Sequence, residues 1–167
     1  MLFRSLEPVL LAMAGKEAEN RHFGKPCGLM DQMACALGGV SAIDFGVPEQ
    51  PTWSRVSFDF EKAGYAIAIV NAGGSHADLT DDYASIPTEM RAVAELYGLP
   101  SLRRLTMDKV IRKAAEIRER LGDRALLRAM HFVAENERAD DMAAALEAGK
   151  MKKYLKLVRR SGDSSWR

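Results

Sequence analysis

The stretch from residue 23 to residue 45 constrains the fold most strongly, because it combines a helix start and a helix stop with a short apolar pattern. Pro26 suits the first turn of a helix, since its φ is preset and it has no N–H to donate. Residues 27–37 carry apolar side chains at helical spacing, and the glycines at 38–39 can adopt the positive φ that ends a helix. We therefore predict a helix over residues 27–37 and a strand over residues 40–45.

Asp31 is an acid near the N-terminus of this otherwise apolar helix. One interpretation is structural, because a carboxylate at that place complements the positive end of the helix dipole. The other is chemical, because a carboxylate kept ionised by the dipole can accept a proton, and Gly28 beside it has no side chain to block a ligand. Helical periodicity alone favours the structural interpretation and leaves the chemical one open.

The remaining periodicities predict an α+β chain whose second half is a helical layer. Helices are predicted over residues 5–20, 80–97, 107–121, 123–148 and 150–160, and further strands over residues 56–60 and 65–70. Pro87 lies inside the second of these helices, so we expect an irregular turn there or a helix that begins near it. The cationic end of the chain favours an ordinary amphipathic surface helix over a segment that binds phosphate or lipid.

Charge and cysteine placement exclude several classes of protein. The 167 residues carry a formal net charge of +1, so no overall field favours nucleic acid as a partner. The sequence has no apolar run of about 18 residues, so no membrane span is predicted. Cys27 and Cys35 lie about 12 Å apart along one predicted helix, which is too far for a disulfide. We therefore expect reduced thiols and a cytoplasmic protein.

Other polar groups give weaker signals for chemistry. The glycines at 73–74 follow an apolar run but match neither common phosphate-loop spacing, so we interpret them as a turn. The histidines have no short metal-ligand spacing and there is no Cys-x-x-Cys pair, so no metal site is predicted. Three acids lie close together in the sequence: Asp78, Asp81 and Asp82. Such a group is more typical of a solvated helix start than of a cation site.

Residues 18–45 closely resemble the galactokinases of the GHMP kinase superfamily. In that family a helix ending in Ala-Glu-Asn is followed by a Phe-x-Gly connection and by Pro-Cys-Gly-hydrophobe-Met-Asp-Gln. This sequence has the first and third motifs at residues 18–20 and 26–32, and a Phe-Gly pair at residues 23–24 in place of Phe-x-Gly. Later, Asn71, His76 and the Asp-Tyr pair at 82–83 are similar to the family's strand end and its following His and Glu-Tyr. The resemblance runs from about residue 6 to the end of the sequence.

The resemblance implies part of a GHMP kinase fold and a sugar-kinase activity. Residues 1–62 would be part of an N-terminal ribosomal-S5-like α+β domain, and residues 63–167 a mainly helical part of the C-terminal domain. The implied reaction is ATP-dependent phosphorylation of the anomeric hydroxyl of galactose, with Mg²⁺. Asp31 would be the catalytic base, and Gly28 and Tyr83 would line the galactose pocket.

Three family segments have no counterpart in this sequence: the sugar-gripping segment with a catalytic arginine, the glycine-rich phosphate loop, and a later glycine-rich segment. We therefore expect the residues that hold ATP and Mg²⁺ to lie outside this sequence and the isolated chain to be inactive. Open sheet edges and uncovered helix faces would favour self-association.

Two alternatives to galactose phosphorylation follow from the same resemblance. One is a kinase for a related sugar such as N-acetylgalactosamine, galacturonate or arabinose, because some of the residues that read the sugar hydroxyls lie in the missing part. The other is a non-catalytic sensor of galactose and ATP. The presence of Asp31 disfavours the sensor.

Overall fold

The structure, a computed structural model, describes residues 6–24, 27–47, 50–71, 73 and 80–166. Within them the elements follow in the order α1 (Pro8–His22), α2 (Met30–Leu37), β1 (Ser41–Asp44), β2 (Thr52–Arg55), α3 (Thr80–Glu95), α4 (Met107–Arg112), α5 (Ala114–Glu147) and α6 (Met151–Trp166). A short 3₁₀ turn at Leu102–Arg104 precedes α4. The predicted α+β class, with a helical second half, is confirmed. No helix in the described residues is both long and apolar enough to cross a membrane.

The first compact unit, residues 1–58, packs two helices and a hairpin. The helices meet around Met33, which is fully buried, and Ala12, which is almost fully buried. Strands β1 and β2 pair antiparallel, with Ser41 opposite Arg55 at one end and Asp44 opposite Thr52 at the other. This small apolar core holds α2 in place, so it also fixes the N-terminal turn that carries Asp31.

Helix α2 ends at the glycine pair, as predicted. Gly38 and Gly39 both have a φ of 62°, and the N–H of Gly38 donates to the carbonyl oxygen of Ala34 at 3.0 Å. Arg55 adds a second cap, because its Nη2 donates to the carbonyl oxygen of Leu37 at 2.9 Å. A Cβ at Gly39 would lie 2.8 Å from Nη1 of Arg55, so a side chain there would displace the guanidinium.

The strands predicted at residues 56–60 and 65–70 are wrong. The second strand lies earlier, at β2, and the chain turns after it because the N–H of Phe58 donates to the carbonyl oxygen of Val56 at 3.0 Å. Residues 65–70 take no part in the sheet, and among the described residues no strand pairs with them. A strand needs a partner for its backbone groups, so this apolar run stays irregular, and the side chain of Ile69 is 96% exposed.

The second compact unit, residues 59–167, is helical. Its long helix α5 packs against α3, α4 and α6. The best-buried side chains of its core come from α3, α4 and α5, and include Val93, Val110, Ile117 and Ala129. Glu89 on α3 also pairs with Arg128 on α5 at 2.8 Å, so a charged contact joins the two helices at the edge of this core.

Helix α3 continues through Pro87, which corrects the expectation of an irregular turn or a start near that residue. Pro87 removes one backbone donor from the helix. Side-chain hydroxyls supply other hydrogen bonds around it, because Ser85 donates to the carbonyl oxygen of Asp82 at 2.6 Å. Thr88 donates in the same way to the carbonyl oxygen of Ala84 at 3.0 Å.

The last two helices differ from prediction mainly in their ends. The predicted break at Gly122 is confirmed as a kink inside α5, where its φ is 87° and its ψ is 168°. The final helix reaches Trp166 instead of ending at residue 160. Its additional turns are tied to α5, because Ser161 donates to Glu135 at 2.7 Å.

Candidate functional site

Asp31 lies exposed in the first turn of α2. Its placement follows from the sequence, since Leu29, Met33 and Leu37 are spaced four residues apart and form one buried stripe. Asp31 falls on the opposite side of the helix, where its carboxylate meets solvent and the positive end of the helix dipole. The carboxylate is therefore placed where a ligand can reach it.

Gly28 lies in the irregular segment just before α2 and is exposed. Its φ is outside the left-handed region, so the backbone does not require a glycine there. No described atom lies within 4 Å of the position that a Cβ would occupy. The open space beside Gly28 is therefore a surface that a small ligand can approach, three positions before Asp31.

Side chains at the end of α1 hold the segment that contains Gly28 and Asp31, through the residues on either side of them. The Asn20 side-chain oxygen accepts from the backbone N–H of Cys27 at 3.0 Å and from its thiol at 3.3 Å. The Gln32 side-chain amide donates to Glu19 at 3.0 Å. Sequence reasoning did not assign a role to these residues, although the Ala-Glu-Asn motif at 18–20 contains two of them.

Tyr83 lies in the second unit, on α3, with 52% of its surface exposed. Gly28 and Asp31 thus lie three positions apart in the first unit, and the third predicted site residue lies in the second unit. His76 and Asp78, also considered in the sequence, lie outside the described residues, as does the side chain of Asp81.

The turn interpretation of residues 73–74 is supported at its first glycine. The N–H of Gly73 donates to the side-chain oxygen of Asn71 at 2.8 Å, which is the hydrogen bond of an Asx turn. That N–H is therefore already used and does not point to a phosphate. Gly74 lies outside the described residues.

The start of α2 was predicted from Pro26, which also lies outside the described residues. The observed helix begins at Met30 rather than at residue 27.

A metal ion would need acidic, histidine or cysteine side chains clustered around one position. In residues 6–24, 27–47, 50–71, 73 and 80–166, no group of three or more His, Cys, Asp or Glu side chains is arranged to hold a metal ion. Mg²⁺ in kinases is commonly held by one or two carboxylates together with substrate phosphates.

A cleft of about 460 Å³ lies in the second unit, against α5 and α6. Its floor is apolar and includes Met107 and Met130. Two of its polar side chains contact each other, because Nδ1 of His131 lies 2.9 Å from the hydroxyl of Ser164. Arg138, also in the lining, pairs with Glu135, and Arg160 and Asp163 complete the polar part of the lining.

Comparison with known proteins supports the resemblance in the sequence. The chain is 34% identical over 160 residues to a galactokinase of Actinobacillus pleuropneumoniae, and 34% identical over 154 residues to a galactokinase of Glaesserella parasuis. A galactokinase of Haemophilus influenzae is 32% identical over 157 residues. Each alignment covers 92% of this chain and 39% of the relative, so the chain spans about two-fifths of the length of these proteins. No protein-family model matches. The resemblance to part of a galactokinase is thus confirmed.

Proposed function

We propose that this chain is part of a galactokinase-like sugar kinase and carries the base that activates the sugar hydroxyl. The observation that carries the proposal is the identity of 29–34% with galactokinases over 92% of the chain. The exposed pair of Gly28 and Asp31 at the start of α2 supports it, because the pair combines a reachable carboxylate with open space for a ligand.

In the proposed reaction Asp31 accepts the proton of the anomeric hydroxyl of galactose as the hydroxyl oxygen bonds to the γ-phosphorus of ATP, whose bond to the bridging oxygen breaks to release ADP. A hydroxyl is a weak nucleophile, and a positioned carboxylate assists it by taking the proton, so that positive charge does not build up on the attacking oxygen. Asp31 is exposed in the first turn of α2, so its carboxylate can be reached by the hydroxyl. Gly28 leaves room for the sugar ring beside this carboxylate.

The phosphoryl donor is proposed to be ATP with Mg²⁺, as the family resemblance implies. Phosphoryl transfer depends mainly on holding the phosphates and neutralising their charge. The described residues contain no cluster of three or more metal-ligating side chains, and no step through the nucleotide is assigned to them. The isolated chain is accordingly proposed to be inactive as a kinase.

The two compact units are proposed to belong to two kinase domains whose boundary falls at residues 62–63, four residues after the division between the units at 58–59. Unit one, with its helices and hairpin, would belong to the N-terminal α+β domain. Unit two would be the helical part of the C-terminal domain. Tyr83, on α3 of the second unit, is proposed to line the galactose pocket because the family resemblance implies it.

Sugar binding to the ¹⁵N-labelled chain tests the proposal without requiring turnover. We expect galactose to shift the amide resonances of residues 27–32, and sorbitol, which has no anomeric hydroxyl, to leave them in place. Asp31→Asn should weaken the response, whereas Glu17→Gln, which removes an exposed carboxylate from α1, should not. Absence of galactose-dependent shifts in the folded chain would contradict the proposal. Titrations with N-acetylgalactosamine, galacturonate and arabinose identify the preferred sugar. If one of these sugars gives larger shifts than galactose, that sugar becomes the proposed substrate.

A further inference from the structure

Four polar side chains at the junction of α1 and α2 have no role in the proposed chemistry. They form what we call the junction network: Glu19, Asn20, Cys27 and Gln32. All of its hydrogen bonds are partly buried, and they join residues five to thirteen positions apart in sequence. The network therefore depends on how α1 packs against the segment that enters α2.

Asn20 holds the front of that segment. Its side-chain oxygen accepts from the backbone N–H of Cys27 at 3.0 Å and from the thiol of Cys27 at 3.3 Å. Both hydrogen bonds converge on one oxygen, so Asn20 restrains the main chain and the side chain of Cys27 together. Gly28 is the next residue, and Leu29 after it is anchored in the core at 7% exposure. Gly28 is therefore held between two fixed neighbours.

Gln32 holds the back of the segment. Its amide nitrogen donates to Glu19 at 3.0 Å and lies 3.6 Å from the sulfur of Cys27. Helix α1 comes close at this point, because a Cβ at Gly15 would lie 3.4 Å from Cγ of Gln32. Gln32 directly follows Asp31, so its attachment to α1 fixes the turn that presents the carboxylate.

The junction network contains a feature that lowers the stability of the folded state. The side-chain oxygen of Gln32 is buried, and no donor among the described residues reaches it. A buried acceptor without a donor is unfavourable, and an apolar side chain of similar shape would avoid that cost. The polar side chains instead fix one geometry, because each hydrogen bond is satisfied only over a narrow range of distances and angles.

We infer that the junction network positions the proposed base: Asn20 and Gln32 are positioning residues that hold the segment from Cys27 to Gln32 so that Asp31 and Gly28 face the same ligand. The inference rests on the proposed function, because the sugar is the ligand concerned. The network acts through Cys27 and the main chain, and its side chains are not assigned contact with the sugar.

Amide hydrogen exchange, measured by NMR, tests the inference on the whole chain. In Asn20→Ala we expect the Cys27 amide to exchange on the order of fivefold faster, the change that loss of one such hydrogen bond produces in a local opening equilibrium. The amide of the fully buried Met33 should exchange at its original rate, which shows that the helix pair remains folded. Asn20→Asp keeps the accepting oxygens and should restore slow exchange at Cys27.

Galactose is added to the same samples so that the inference and the proposed function can fail separately. The inference predicts that galactose slows exchange at Gly28 and Asp31 in the parent chain and in Asn20→Asp, but much less in Asn20→Ala. Arg21→Ala, the neighbouring exposed position on α1, should behave like the parent.

Three results would overturn the inference. Equal Cys27 exchange in Asn20→Ala and the parent would show that Asn20 does not hold the segment, whatever galactose does. Faster Cys27 exchange with undiminished galactose protection would show that the network does not position the sugar site. If galactose protects none of the chains, the sugar-positioning role fails together with the proposed function, while the Cys27 rates still report whether the network holds the segment.

Discussion

Replacing Gly28 with alanine should raise the stability of the first unit and weaken sugar binding at the same time. The φ of Gly28 lies outside the left-handed region and no described atom is within 4 Å of the added Cβ, so the substitution introduces neither backbone strain nor a clash. Alanine restricts the unfolded chain more than glycine does, which stabilises the folded state by about 0.4–1 kcal/mol at such a position.

The new methyl group would occupy the open space beside Asp31 into which the sugar is proposed to bind. We expect the dissociation constant for galactose to rise at least about tenfold, which corresponds to roughly 1.4 kcal/mol. Stability is measured by urea denaturation in a Trp166→Phe background, where Trp53 on β2 is the remaining tryptophan and reports on the first unit. Galactose affinity is measured by NMR titration of the same samples.

Gly38→Ala is the matched control for Gly28→Ala. No described atom lies within 4 Å of its Cβ position either, but its φ is 62°, so the two sites differ in backbone conformation and not in space. Gly38→Ala should destabilise the first unit by about 1–2 kcal/mol. Unchanged galactose affinity in a folded Gly28→Ala chain would refute the role of Gly28. A stability loss as large as that of Gly38→Ala would refute the geometric reasoning.

Three further predictions concern the rest of the chain. The isolated chain with ATP and Mg²⁺ should form no galactose 1-phosphate, and detectable product would contradict the account of the missing phosphate-binding parts. Burial tends to raise the pKa of Glu89, but hydrogen bonds and charge from Arg124 and Arg128 outweigh it and hold this pKa below its usual value. This contribution to stability is therefore present above the unfolded pKa of about 4.3 and is lost as pH falls through the lower folded value. Glu89→Gln should cost about 2–3 kcal/mol at neutral pH and flatten that part of the acid unfolding curve; an unchanged curve would contradict this. The chain should self-associate through the exposed apolar run at residues 65–70, so Ile69→Lys should reduce the sedimentation coefficient at high concentration. An unchanged sedimentation coefficient would show that this run is not the contact.

Local signals predicted the elements whose ends depend on one or two residues. The stop of α2 at Gly38 and the kink at Gly122 follow from positive φ values, which glycine adopts without strain. The strand at 56–60 was wrongly predicted because its alternation of apolar residues is real, but pairing with β1 selects Thr52–Arg55 instead. Pairing register is a tertiary property, so alternation in one segment could not reveal it.

The candidate site was predictable only in part, because some of its contacts depend on tertiary packing rather than on local sequence. The exposure of Asp31 follows from the spacing of Leu29, Met33 and Leu37, which the sequence shows directly. The contact between Gln32 and Glu19 spans thirteen positions and exists because α1 packs on α2. No local pattern encodes that contact, although the family motif that contains Glu19 marked its position.

The turnover of a chimera tests the assignment of Asp31 most directly. The segment of the Actinobacillus pleuropneumoniae galactokinase that aligns with this chain would be replaced by this chain, so that the parts outside the alignment come from the relative. We predict that the chimera phosphorylates galactose, and that Asp31→Asn lowers kcat by about 10²–10⁴-fold with little change in the KM for ATP. Near-normal kcat in the Asp31→Asn chimera would contradict the assignment of Asp31 as the base.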